Sequence, residues 1–176
     1  MTLRTEATDM FERAVKWLAQ HYSSYHFFTE RDIEWTLQLH LLQEIKERKL
    51  DLAVFEKHRM PNRKQVDLAV VEHATGSVLC VVELKYEPDH ARGDIFPGKF
   101  PKIFWNSRKN HGVIQDIDRI GTFVESGACE VGYCLFIDEG RYHRERGEPK
   151  NSMWVDWGRS PYSESTVAAL LFKQEG

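Results

Sequence analysis

The chain lacks any apolar run long enough to cross a bilayer. The longest, Val167 to Phe172, is six residues, against about 20 for a membrane-spanning helix. The opening stretch carries Glu6, Asp9 and Glu12 and no apolar segment, so no secretory leader is expected. Cysteine is scarce. Cys80, Cys129 and Cys134 are odd in number and form no CxxC pair, which excludes a disulfide framework. Cys80 and Cys134 sit in apolar runs, so buried, reduced thiols in a cytoplasmic protein are the expectation. Positive charge is not in excess either: 24 Lys and Arg stand against 27 Asp and Glu, a net charge of −3. The chain is therefore not a basic nucleic-acid coat, and an anion site must be a local patch. Familiar catalytic motifs are missing as well. There is no HExxH and no nucleophile elbow, and His143-Arg144-Glu145 is not followed by the PCxxC of zinc deaminases. Gly93 to Lys99 has the glycine spacing of a phosphate-binding loop, but Phe100 stands where Ser or Thr must hold the metal.

What is present reads as one α/β domain spanning residues 1–176. A chain of 176 residues, 41% hydrophobic and 29% charged, matches one globular domain. Apolar residues at helical spacing predict a helix over Thr8–Gln20 and a second over Glu30–Arg48. Thr29 suits the N-cap of the second, with Glu30 and Asp32 favoured in its first turn by the helix dipole. Ile33, Leu37, Leu41 and Ile45 form its buried stripe, which Trp35, Leu39 and Leu42 are expected to widen. Three strands follow, Leu50–Lys57, Val66–Glu72 and Val78–Tyr86, the last two joined by the hairpin loop His73–Ser77. Residues 87–112 have no clean period. A helix over Val113–Val124 and a buried strand over Val131–Ile137 complete the pattern, and the helix supplies the crossover that a parallel strand pair needs. The expected architecture is a mixed sheet flanked by helices, in the order α-β-β-β-α-β after an extra N-terminal helix. The tail beyond Gly140, with Trp154 and Trp157, is expected to pack on this core.

Three charged residues stand where a buried strand should be apolar. Val78 to Val82 lead directly into Glu83 and Lys85, which share one face of the strand because they are two apart. Asp67 opens the preceding apolar strand. A hairpin centred on Thr75 sets Asp67 opposite Glu83. Facing carboxylates about 5 Å apart repel, and burying them unpaired is costly. A divalent cation relieves both costs, and hard oxygen donors suit Mg²⁺ or Mn²⁺ better than zinc.

Asp67 followed by Glu83-Leu84-Lys85 resembles the PD-(D/E)xK signature of restriction-endonuclease-like nucleases. The element order over Thr29–Ile137 resembles that superfamily's core, with Val66 in place of the motif's proline. The resemblance implies Mg²⁺- or Mn²⁺-dependent phosphodiester hydrolysis of nucleic acid, in the first place DNA. Asp67, Glu83 and the backbone carbonyl of Leu84 would hold the metal, and Lys85 would orient the attacking water or stabilise transition-state charge. The superfamily often adds an acid on the helix before the meander. Glu30 and Glu34, one turn apart, are the candidates, and Gln115 on the later helix is a further residue that could face the site.

Two basic stretches suit phosphate contact. Lys57, Arg59, Arg63 and Lys64 cluster around the turn between the first two strands, and Arg92, Lys99, Lys102, Arg108 and Lys109 are interleaved with Phe96, Phe100, Phe104 and Trp105. Two other readings stay open: a non-catalytic nucleic-acid-binding or complex-subunit module on the same fold, and a structural protein whose Trp-rich tail mediates dimers. A homodimer is compatible with the nuclease reading too.

Overall fold

A computed structural model describes residues 2–92, 102–107 and 112–176, with only the backbone at residue 62. Helices α1 (Leu3–His21) and α2 (Glu30–Arg48) precede strands β1 (Leu52–Arg59), β2 (Gln65–Glu72) and β3 (Val78–Glu87). Helix α3 (Val113–Glu125) leads to β4 (Val131–Asp138), and β5 (Ser152–Arg159) and β6 (Thr166–Glu175) end the chain. The helix–meander–helix–strand order is the one expected. No helix is long and apolar enough to cross a membrane among the described residues, and all three cysteines are free and buried.

The strands form one six-stranded mixed sheet in the order β1-β2-β3-β4-β6-β5. The β2–β3 register, Leu68↔Val82, Ala69↔Val81 and Val70↔Cys80, is that of a hairpin centred on Thr75, and a bulge at Val70/Val71 takes up the turn. β3 and β4 are parallel from Cys80↔Val131 to Glu87↔Asp138. A parallel pair needs a long crossover, and α3 provides it. α1 and α2 cover one face of the sheet, where Met10, Phe11, Leu37 and Leu41 pack on Leu68, Val82 and Leu84. α3 covers the other, where Val113, Ile120 and Val124 meet Val81, Cys134 and Phe136.

Three features differ from the sequence expectation. α1 begins at Leu3 rather than Thr8, because Thr2 caps it by accepting from the Thr5 N–H and Ala7 joins the buried stripe. The tail contributes two strands, with β6 inserted beside β4. On α2, Trp35, Leu39 and Leu42 do not widen the buried stripe: they are 61%, 53% and 40% exposed. The helix rests on the sheet along Ile33, Leu37 and Leu41, and those three residues project from its outer side.

Arg92 ties the segment after β3 to the end of β4. It is fully buried, donates to Glu139 at 3.2 Å and to the Tyr86 hydroxyl at 2.7 Å, and lies 3.7 Å from the Tyr162 ring centroid. α3 is seated closely by Gly132. A Cβ at that position would run into Cγ2 of Ile120 and lie 3.1 Å from Cγ2 of Val124. Gly132→Ala is therefore expected to push α3 off the sheet at a cost of about 1–3 kcal/mol. Gly158→Ala, where a Cβ meets nothing, should be close to neutral, and urea unfolding of the two variants checks the contrast.

Candidate active site

The charged residues picked out on β2, β3 and α2 meet at one end of the sheet. Glu34 lies beside the buried stripe of α2 and is 2% exposed; Glu30 is one turn earlier. The helix start is fixed by Asp32, whose carboxylate accepts from the N–H groups of Phe28 and Thr29 at 2.9 and 2.8 Å. Asp67 lies one step beyond Leu68↔Val82, and its Oδ2 accepts from the Leu84 N–H at 2.6 Å. Carboxylate oxygens of Glu30, Glu34 and Asp67 lie within 4.8 Å of one another, the one group of three or more metal-ligating side chains so placed among the described residues.

Three cations run through the acids. Lys57 Nζ donates to Asp67 Oδ1 at 2.6 Å and to Glu34 Oε1 at 2.8 Å. Lys85 Nζ lies 3.1 Å from Asp116 Oδ2 and 3.5 Å from Glu30 Oε2, and donates to the Leu84 carbonyl at 2.8 Å. Arg119 Nη2 lies 2.8 Å from Glu83 Oε1 and 2.7 Å from Asp116 Oδ1. Five carboxylates thus face three cations, a deficit of two positive charges when all five are ionised.

Burial dominates the electrostatics of the acids, and the neighbouring charges adjust it. Burial, followed by repulsion from Asp67, pushes Glu83 up to about 9 against the pull of Arg119. Burial pushes Glu30 up to about 7; Lys85 opposes the shift, while Asp67 and Glu34 add to it. Glu34 is raised by burial, with Lys57 opposing. Burial alone would lower Lys57 and Lys85, but their carboxylate partners outweigh it and hold both above the ordinary lysine value.

Asp116 and Arg119 were not among the residues singled out in the sequence. Their signal was a charge on an apolar stripe: Asp116 lies with Val113, Ile117 and Ile120 on the buried side of α3, and Arg119 is its i+3 partner. Gln115, by contrast, turns away from the acids. Its side chain accepts from the Ser107 N–H at 3.0 Å and donates to Asn106 at 2.6 Å.

The metal set expected from the sequence and the cluster in the structure share Asp67. Glu83 is engaged by Arg119, and the Leu84 carbonyl accepts from Lys85, while Glu34 and Glu30 draw up to Asp67 from α2. Of the basic residues, Lys57 is seated on the acids, and Arg59, Arg63 and Lys64 are exposed at the adjoining turn. Lys102 is exposed, and Trp105 packs flat against His143 and Trp154. Arg92 is buried within the protein and presents no surface to an external phosphate. Lys99, Arg108 and Lys109, with Phe96, Phe100 and the Gly93–Lys99 stretch, lie outside the described residues.

These shifts set a pH dependence. From the ordinary carboxyl value of 4.5 up to about 7 for Glu30 and about 9 for Glu83, the folded chain holds protons that the unfolded chain has released. Folding stability should therefore fall as pH rises through that window. Metal-free protein is expected to melt at a lower temperature at pH 9 than at pH 6. Glu83→Gln should flatten the decline and raise the melting temperature at pH 9. Thermal melts across the range check both, and a profile flat from pH 6 to 9 would contradict the charge deficit.

No protein-family model, curated protein or solved structure gives a significant match to the chain.

Proposed function

We propose that the chain is a metal-dependent nuclease of the restriction-endonuclease-like kind, hydrolysing phosphodiester bonds in DNA. The observation that carries the reading is the meeting of Asp67, Glu83 and Lys85 with Glu30 and Glu34 at one end of the sheet. Asp67, Glu83 and Lys85 are the residues of the PD-(D/E)xK motif, and the α-β-β-β-α-β order supports the same assignment.

The donor set fits a hard divalent cation. The ligand atoms on offer are carboxylate oxygens, which suit Mg²⁺ or Mn²⁺. Asp67 would hold it with Glu34 and Glu30 from α2, and Glu83 and the Leu84 carbonyl stand on the adjoining strand. Bound there, the ion would polarise a phosphoryl oxygen and lower the pKa of a bound water.

The protein's own groups supply the rest. Lys85 is 16% exposed at its side chain and anchored by Asp116, Glu30 and the Leu84 carbonyl. Held in this way, its ammonium is oriented before substrate arrives and favours negative charge growing on the phosphorus oxygens. Asp116 acts through Lys85, and Arg119 keeps Glu83 from swinging free. Access is from a cavity of about 560 Å³ lined by Phe28, Arg31, Glu30, Glu34 and Lys57 among others. Arg59, Arg63 and Lys64 flank the same end of the sheet, since β2 starts at Gln65 and Asp67 is its third residue. Their exposed cations suit the backbone of a duplex.

The parent protein is expected to nick plasmid DNA in Mg²⁺ or Mn²⁺ and to stop on addition of EDTA. Asp67→Ala and Lys85→Ala should each slow cleavage by about 100-fold or more while unfolding stays cooperative. Arg59→Ala with Arg63→Ala should leave the metal site intact and reduce the salt dependence of DNA binding, by about one unit of slope per lost phosphate contact. DNA binding with no cleavage in either metal would assign the fold to a binding module.

A further inference from the structure

Lys57 sits awkwardly in its strand. β1 pairs with β2 on either side of it, through Glu56↔Leu68 and His58↔Val66, but the ladder passes over Lys57, whose φ is 47°. A non-glycine residue in the left-handed region is strained and persists where its surroundings hold it. What holds Lys57 is its ammonium, 2.6 Å from Asp67 Oδ1 and 2.8 Å from Glu34 Oε1. Those are two of the three carboxylates that draw together within 4.8 Å, so the ammonium lies where a metal ion would be held. Lys85 serves a different set, Glu30, Asp116 and the Leu84 carbonyl.

Exposure separates the partners. The side chains of Glu34 and Asp67 are 3% and 10% exposed, and that of Lys57 is 50% exposed. The carboxylates are fixed in the protein, while the cation between them has a way out. It lines the cavity of about 560 Å³ that opens on Glu30 and Glu34. One ammonium also leaves the pair of carboxylates a charge short, which a divalent ion makes good.

The geometry points to Lys57 as a resident counter-cation. It holds Glu34 and Asp67 together in the metal-free protein and is displaced into the cavity when a divalent ion binds. The inference rests on the metal reading of the site and adds a competition to it: ammonium and ion exclude one another, and metal affinity is lower than the carboxylates alone would give.

Two measurements on the full chain test it. In calorimetric titration with Mn²⁺ at fixed pH, Lys57→Met should bind about tenfold tighter than the parent, equivalent to about 1.4 kcal/mol. Lys57→Arg, which keeps the charge, should stay near the parent. If Lys57→Met does not fold without metal, Lys57→Gln takes its place in the same titration. In the parent, Mg²⁺ should increase reductive methylation of Lys57, mapped by mass spectrometry, because the displaced ammonium is freed from its partners. General electrostatic relief would tighten metal binding without that change in labelling. A parent that binds Mn²⁺ while the neutral variant binds no tighter, or labelling that Mg²⁺ leaves unchanged or lowers, overturns the exchange. Absence of Mn²⁺ binding by parent and variants alike overturns the metal reading itself, and the exchange with it.

Discussion

Five carboxylates crowd one end of the sheet with three cations threaded among them, and the rest of the arrangement follows from keeping that cluster folded. Glu34, Asp67, Glu83 and Asp116 are all buried. Buried charges persist only when paired and hydrogen-bonded, and each of these has a cation within ion-pair distance. Neutrality is not reached. The remaining deficit is shared between raised carboxyl pKa values and an appetite for further positive charge, and protons or a divalent cation can each supply it. A structural salt-bridge network would be expected to balance its own charge; this one, with all its acids ionised, is left short of positive charge.

Topology explains why these side chains arrive together. A parallel β3–β4 pair requires the chain to cross over the sheet, and the crossover helix lies on the face of Val81, to which Glu83 and Lys85 also point. Asp116 and Arg119 are brought to that face by the same turns of α3 that bury Val113, Ile117 and Ile120. On the other flank, α2 packs along Ile33 and Leu37, and its first turns overhang the start of β2, which sets Glu30 and Glu34 beside Asp67. Among the described residues the site is a junction of five elements, α2, β1, β2, β3 and α3.

Much of this was legible in the sequence because strand geometry is strict. A period of two puts Glu83 and Lys85 on one face, and the short loop after Glu72 fixes the register that brings Asp67 to β3. Glu34 was legible as an acid beside an apolar stripe. Lys57 was not: linear proximity groups it with Arg59 and Arg63, and nothing in the residue string announces the left-handed backbone that turns its ammonium onto Asp67. Arg92 has the same lesson, since a basic residue in an irregular segment looks exposed until Glu139, far along the chain, is brought to it by β4. β5 and β6 were opaque for a different reason. The run Val167–Phe172 is apolar throughout and carries no period to separate strand from helix. β5 is an edge strand whose ladder slips between Asp156 and Arg159. The outward Trp35, Leu39 and Leu42 mark the limit of reading a helix by its apolar positions: α2 meets the sheet on one side only, and none of the described residues covers a second apolar stripe.

Stability and chemistry pull against each other at this cluster. Replacing the acids with apolar side chains would remove desolvation and repulsion together, and buried ion clusters exchanged for packed apolar groups are often neutral or stabilising. Their presence at the end of β2 and β3, where α2 and α3 both add charges rather than cover them with aliphatic residues, makes little sense as core design. It makes sense if the binding energy of a cation is the compensating term. The closeness of α3 to the sheet at Gly132 fits the same logic, because Asp116 and Arg119 reach Lys85 and Glu83 only if the helix lies near enough for short hydrogen bonds. A side chain at residue 132 would press on Ile120 and Val124, and by lifting α3 it would lengthen the contacts that Asp116 and Arg119 make with Lys85 and Glu83.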